Sequence, residues 1–208
     1  MSSGILKIRC SSENREADMP VRLWHRLYYI TSACNVRSIV KVGILSRAGV
    51  ERLGLQCHDI SDQEVQRWRE RVEPISGRSL HEYANLYLNP RNPMLSARRS
   101  LRDQLVILEV SANVLDHHEH LFTDGNAASK DTVFSRERKV VESSEEALRA
   151  VFWDDCEDGK RRRCAEVLVY PRVEPSFLVG ALCASTQLVP VLQTECPFPV
   201  TLDPATFF

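Results

Sequence analysis

The segment RRRCAEVLVYPR, residues 161–172, sets a carboxylate in a row of strand-forming residues. With a period of two, Glu166, Leu168 and Tyr170 face one way and Ala165, Val167 and Val169 the other. A glutamate on a rigid strand can stabilise developing positive charge or accept a proton. Read alone, it is equally a glutamate on a solvated face. The segment TDGNAASKDTVF, residues 123–134, holds a D-G turn and then small residues. Such a loop can approach a ligand closely, or it is a plain surface turn. DHHEH, residues 116–120, lacks the helical H-x-x-x-H spacing and a partner cysteine pair, so it reads as a solvated loop with no metal. P-loop, GxGxxG and GxSxG motifs are missing from the chain. In YANLYLNPRNPML, residues 83–95, Arg91 is held between Pro90 and Pro93 at the end of an alternating strand.

The elements that must position these groups follow from pattern. Strands are expected at 21–31, 83–88, 104–110, 163–170 and 177–182. A helix capped by Thr31 or Ser32 buries Val36, Ile39 and Val40 and ends at Gly43. SDQE, residues 61–64, reads as a capping box opening a second helix with an apolar stripe of Val65, Trp68 and Val72. A third helix follows Ser143, with a box to Glu146 and a face of Leu148, Val151 and Phe152. Without a βαβ rhythm, this is a mixed α+β domain with a largely antiparallel sheet.

The chain has 208 residues, 43% of them hydrophobic, which bounds it to one domain of ordinary size or two very small ones. Residues 1–20 read as a polar, mobile leader and 21–208 as the single domain. No apolar run reaches membrane-span length. The 7 cysteines form no CxxC pair, and reduced thiols of a cytoplasmic protein are the default. The net charge of -1 excludes a globally basic nucleic-acid binder. Basic clusters at 67–71, 91–102 and 160–163 nonetheless allow a local phosphate-binding surface, or are simply solvated faces.

Taken in order, LYYIT, NVRSIVKVGILS, LHEYANLYLNPRNPML, LFTDGNAAS and AEVLVYPRV resemble the DarT family, from about residue 27 to about residue 173. The resemblance implies an ADP-ribosyltransferase-like α+β domain with a split, largely antiparallel central sheet and peripheral helices. It implies an NAD-dependent enzyme modifying a base in single-stranded DNA, usually a bacterial toxin paired with a macrodomain antitoxin, DarG. It places the catalytic glutamate on Glu166 and a following arginine on Arg172. The family's first-strand NAD motif falls on Tyr29 and Thr31, with Tyr29 standing where the family has histidine. The PRxPML motif falls on Pro90, Arg91, Pro93, Met94 and Leu95, which would hold Arg91 and Met94 at the rim of an NAD cleft. Asn126 stands where the family's TDGHA loop has histidine. A further C-terminal arginine of the family has no counterpart, since no arginine follows Arg172.

An arginine on the helix before the central strand is also implied, to position NAD and base. Arg67, Arg69 and Arg71 are the candidates. At about 100° per residue, Arg69 lies roughly 40° from Val65, at the edge of the expected apolar stripe. Arg69 is therefore the choice, with Arg67 and Arg71 projecting away. The basic run 160–163, including Arg162 and Arg163, would track the backbone of a single strand. Three alternatives stay open: an ADP-ribosyltransferase acting on RNA or protein, a non-catalytic single-strand binding module on the same scaffold, and an α+β domain with no nucleic-acid role.

Overall fold

Runs of aliphatic, β-branched and aromatic residues build the sheet, and a computed structural model describes the chain over residues 25–208. The expected leader, Cys10 and residues 21–24 of the first expected strand lie outside the described residues. Among the described residues there are ten strands: β1 Arg26–Ser32, β2 Ile44–Leu45, β3 Ala84–Tyr87, β4 Leu105–Ser111, β5 Glu119–Thr123, β6 Phe134–Ser135, β7 Glu166–Tyr170, β8 Arg172–Val173, β9 Leu178–Cys183 and β10 Val200–Leu202. The helices are short: α1 Ala33–Val42, α2 Arg47–Arg52, α3 Gln63–Trp68, α4 Pro93–Ala97, α5 Val114–His117, α6 Glu145–Arg149, α7 Gly159–Arg162 and α8 Leu188–Glu195.

Eight strands form one sheet in the order β10-β9-β4-β1-β3-β7-β5-β6, and β2 pairs with β8 separately. Every pairing in the large sheet is antiparallel except β9 with β10. At its centre, β1 and β3 share only the pair Tyr28–Tyr87, so the sheet is split there. The α+β class and the split antiparallel sheet therefore match the expectation. The main core lies along Val106, Leu108 and Val110 of β4, Ala84 and Leu86 of β3, and Val167 and Val169 of β7. On the opposite parity, Leu168 packs with Leu80, Tyr83, Leu121 and Phe134, and Leu105 and Ile107 pack with Ile30, Leu95 and Phe207.

Local chemistry sets the elements that frame the cleft. Ser32 caps α1, its hydroxyl accepting from Cys34 N–H at 3.4 Å. Gly43 ends that helix at φ 88°, and a Cβ there would sit 2.1 Å from Val173 O. The two prolines flanking Arg91 do different work. Pro90 follows the end of β3, whereas Pro93 opens α4, where its missing N–H costs nothing. Asn92 caps that helix, accepting from Leu95 N–H at 3.0 Å.

Four local expectations are corrected. Asp62, rather than Ser61, caps α3, accepting from Glu64 and Val65 N–H. The stripe assigned to that helix is not buried, because α3 ends at Trp68, and Trp68 and Val72 face solvent. The box at 143–146 does not form: Ser143 donates to Val140 O within a 3-10 turn, and Val151 and Phe152 are 78% and 66% exposed. The strand expected from residue 163 starts three residues later: α7 ends at Arg162, residues 163–164 turn, and β7 begins at Glu166.

Candidate active site

Glu166 is the first residue of β7, and its side chain is fully buried. Burying a carboxylate is costly unless it is paired and hydrogen-bonded. Both conditions are met. Arg69 Nη2 donates to Oε1 and Oε2, each at 2.6 Å, and Ala127 N–H donates to Oε1 at 3.1 Å. The backbone beneath is pinned by Thr123, whose hydroxyl accepts from Glu166 N–H at 2.9 Å and donates to Gly125 O at 2.7 Å. Three stretches of chain thus converge on one carboxylate: the end of α3, the loop after β5, and β7 itself.

Arg69 is the residue after the last turn of α3, with φ −82° and ψ −5°, and it is only 4% exposed. Its N–H still donates to Val65 O at 3.1 Å, so it follows Val65 by one helical turn. At this end of α3 Arg69 is on the buried side, while Trp68 stays outside. Burial alone would lower its affinity for a proton, but the Glu166 charge, the nearby Tyr87 and the hydrogen bond to Glu166 together outweigh that and hold the guanidinium above its ordinary value. Its Nη1 is buried without a partner, so one donor is left for a ligand. Arg67 is exposed, whereas Arg71 donates to Ala127 O at 2.6 Å and lies over the Phe134 ring.

Above this pair opens a cleft of about 1040 Å³, at the upper end of the range for small-molecule sites. Tyr29 and Thr31 of β1, Asn85 and Tyr87 of β3, Met94 of α4, Arg69 and Asn126 all line it. Burial, then the nearby Cys57 and Asp59, push the Tyr29 hydroxyl up to about 12. Burial and then the Glu166 charge raise Tyr87 as well. Both phenols therefore stay protonated at neutral pH and can act as donors, not bases. Asn35 donates to Thr31 Oγ1 at 3.1 Å and to His58 O at 2.9 Å, tying β1 to the far wall. Asn126 Oδ1 accepts from Ala128 N–H at 2.9 Å, which shapes the loop after β5.

Four of the arginines singled out in the sequence lie elsewhere. Arg91 does not line the cleft; its Nη1 donates to Ala205 O and Phe207 O, each at 3.0 Å, and its guanidinium stacks 4.1 Å from the Phe208 ring. Arg163 is buried, donating from Nη1 to Ala147 O and Ala150 O, each at 2.8 Å, and from Nε to Arg91 O at 2.8 Å. Arg162 lies 3.9 Å from Asp158, and Arg172 pairs with Glu174 at 3.2 Å on the surface. Each has a side chain long enough to reach backbone carbonyls or a carboxylate that the tertiary fold brings near, and none lines the cleft. Of the run 160–163, Lys160 and Arg161 line it instead, and Arg161 is engaged by Asp124 at 2.8 Å. Thr123, Asn35, Tyr87 and the Ala127 N–H were not singled out by sequence reasoning. Their roles arise from long-range contacts, and only Asn35, four residues after Thr31 at the start of a helix, carried a local signal.

Residues 116–120 end α5 and begin β5, with His118 Nε2 2.6 Å from Glu174 Oε2. Among the described residues no group of three or more His, Cys, Asp or Glu side chains is placed to hold a metal. Nor is any helix among them long and apolar enough to cross a membrane.

A family described as "ssDNA thymidine ADP-ribosyltransferase, DarT" matches residues 28–197, which contain all of the cleft residues named above. The chain belongs to the DarT family. Among DarT relatives, a DNA ADP-ribosyl transferase-DNA ADP-ribosyl glycohydrolase fusion protein of Thermosipho africanus (strain H17ap60334) is 33% identical over 193 residues, 89% of this chain and 50% of that one. The chain therefore spans about half the length of that relative. A DNA ADP-ribosyl transferase of Thermus sp. (strain 2.9) is 26% identical over 78% of this chain and 82% of its own. The solved structure of Thermosipho africanus DarTG in complex with ADP-ribose superimposes with a TM-score of 0.82 at 33% identity, covering 89% of this chain and 51% of that one. Thermus sp. 2.9 DarT in complex with ADP-ribosylated ssDNA gives a TM-score of 0.78 at 21% identity over 88% of this chain and 96% of its own, a likeness of fold.

Proposed function

We propose that this DarT-family protein is an NAD+-dependent mono-ADP-ribosyltransferase that modifies thymidine in single-stranded DNA. The observation that carries the proposal is the buried Arg69–Glu166 pair beneath a large cleft, within a chain matched by the DarT family over residues 28–197. NAD+ would supply an ADP-ribosyl group whose bond to nicotinamide breaks with positive charge developing on the ribose. The residues present suit such a molecule. Tyr29 and Thr31 offer a protonated phenol and a hydroxyl, Met94 an apolar wall, and Arg69 Nη1 an unused donor. Asparagine at 126 supplies hydrogen bonds but no titratable group, so it orients the acceptor and does not move its proton.

Glu166 is the group suited to the chemistry. A carboxylate held without reorganisation beside the reacting sugar stabilises its charge. It can also take the proton leaving the acceptor nitrogen. Since its carboxylate is fully buried behind Arg69, the guanidinium must shift toward the cleft for either role. Lys160 at the cleft wall is the residue suited to a phosphate of the strand.

The Thermosipho relative joins a transferase to a glycohydrolase in one chain, which supports pairing of the present chain with a macrodomain antitoxin of the DarG type. A cytoplasmic site of action suits such a substrate and the six described cysteines, all free. Incubation of the full chain with labelled NAD+ and matched oligonucleotides tests the reading. Thymidine-containing single strands become labelled, and the same strands annealed to their complements do not, since extruding a paired base costs a few kcal/mol. Labelling of duplex and single strand alike, or of RNA or protein alone, would replace DNA thymidine as the acceptor.

A further inference from the structure

Next to the buried pair stands an aromatic ring that the proposed chemistry does not use. Trp68 directly precedes Arg69 yet is 47% exposed. Lys130 Nζ lies 5.2 Å from its ring centre, within cation–π range. Among the described residues no carboxylate forms an ion pair with Lys130. Lys130 belongs to the loop that supplies Asn126 and Ser129 to the cleft wall and the Ala127 N–H to Glu166. The two elements that meet at the carboxylate therefore meet again at this ring, and Arg71 ties them together through Ala127 O.

A single exposed apolar side chain is commonplace. This one differs in being a flat indole, flanked by an uncommitted cation, one residue from a group on the cleft floor. That combination suits an unpaired nucleotide, whose base stacks on the indole while the ammonium swings on its flexible stem to the phosphate. We infer that Trp68 and Lys130 form a subsite for a nucleotide adjoining the target in the single strand. The inference rests on the DNA substrate proposed above and extends it to a second position on the strand.

Fluorescence anisotropy of a labelled thymidine-containing single strand tests it, using the full chain and its Trp68→Ala, Trp68→Phe and Lys130→Ala variants. Oligonucleotides carrying one abasic site at each position flanking the thymidine complete the series. Trp68→Ala weakens binding about tenfold and Trp68→Phe by much less, because a phenyl ring still stacks. On the oligonucleotide lacking the stacked base, Trp68→Ala costs nothing more, and the KM for NAD+ is unchanged. Lys130→Ala flattens the salt dependence by about one phosphate contact. Binding by Trp68→Ala equal to the parent overturns the subsite, as does an equal penalty at every abasic position. A parallel rise in the KM for NAD+ overturns it too, by assigning Trp68 to the positioning of Arg69. If the parent binds single strands but transfers nothing to them, the proposed activity fails while the anisotropy series still reads the subsite. A parent that binds no single strand overturns both.

Discussion

One nitrogen of Arg69, Nη2, bonds both carboxylate oxygens of Glu166 at 2.6 Å, and nothing of that glutamate is exposed. Removing one partner of such a pair leaves an uncompensated buried charge. Glu166→Gln should lower transfer by at least about a hundredfold, the loss of one main electrostatic group. Glu166→Ala should also destabilise the fold by about 3 kcal/mol, the low end for breaking a buried pair, because Arg69 can relax toward the open cleft. Activity assays and chemical denaturation check both, and an active, fully stable Glu166→Ala protein would remove the pair from the mechanism.

The three arginines around α3 should separate cleanly. Arg67 is exposed, so Arg67→Ala is silent. Arg69→Ala removes the cleft-floor donor and abolishes transfer. Arg71→Ala falls between them, about tenfold down, because Arg71 holds the Ala127 carbonyl whose own N–H steadies Glu166. Steady-state kinetics on the three variants give the order, and an unaffected Arg71→Ala would show that the loop after β5 needs no such tether.

Arg91 and Arg163 should read as stability residues. Both guanidinium groups are spent on backbone carbonyls, of residues 205–207 and 147–150 respectively. Charge-assisted bonds of this kind contribute about 1.5–3 kcal/mol. Arg91→Ala and Arg163→Ala should each lower the melting temperature by several degrees and leave the salt slope of single-strand binding unchanged. Lys160→Ala should do the reverse. A salt slope that falls on removing Arg163 would place it on the strand after all.

Glu73 organises the turn between α3 and β3. Its carboxylate accepts from Ile75 N–H at 2.6 Å, Arg78 N–H at 3.1 Å and the Tyr83 hydroxyl at 2.9 Å. Burial alone would raise its pKa, but the N–H groups of Ser76, Arg78 and Ile75 outweigh that and lower it. With the folded value depressed, the stabilisation is fully present above the ordinary glutamate range, about 4.3, and is lost as pH falls through the folded value. Glu73→Gln should cost about 2 kcal/mol at neutral pH and flatten the acid limb of the stability curve. Denaturation midpoints measured from pH 7 to pH 3 check the sign, and an unchanged acid limb would contradict it.

Much of the frame was legible along the chain. Period-two alternation located β3 and β7, runs of strand-forming residues located β4 and β9, the serine and glycine at either end bounded α1, and the ordered motifs picked out Tyr29, Thr31 and Met94, which line one cleft, and Glu166, buried behind Arg69. These are local signals, carried by neighbouring side chains and by backbone conformations that only certain residues adopt. What lay beyond them depended on contacts between distant segments. The indole at 68 looked like core and the guanidinium at 69 like the edge of a stripe, yet Trp68 is exposed and Arg69 is the buried one, against a carboxylate 97 positions away. Arg91 and Arg163 looked like ligands for phosphate because an arginine's charge is visible in a sequence and its partner is not. Only the tertiary structure decides whether a guanidinium meets a backbone carbonyl or stays free, since those partners are set by chain segments that have no sequence neighbourhood in common.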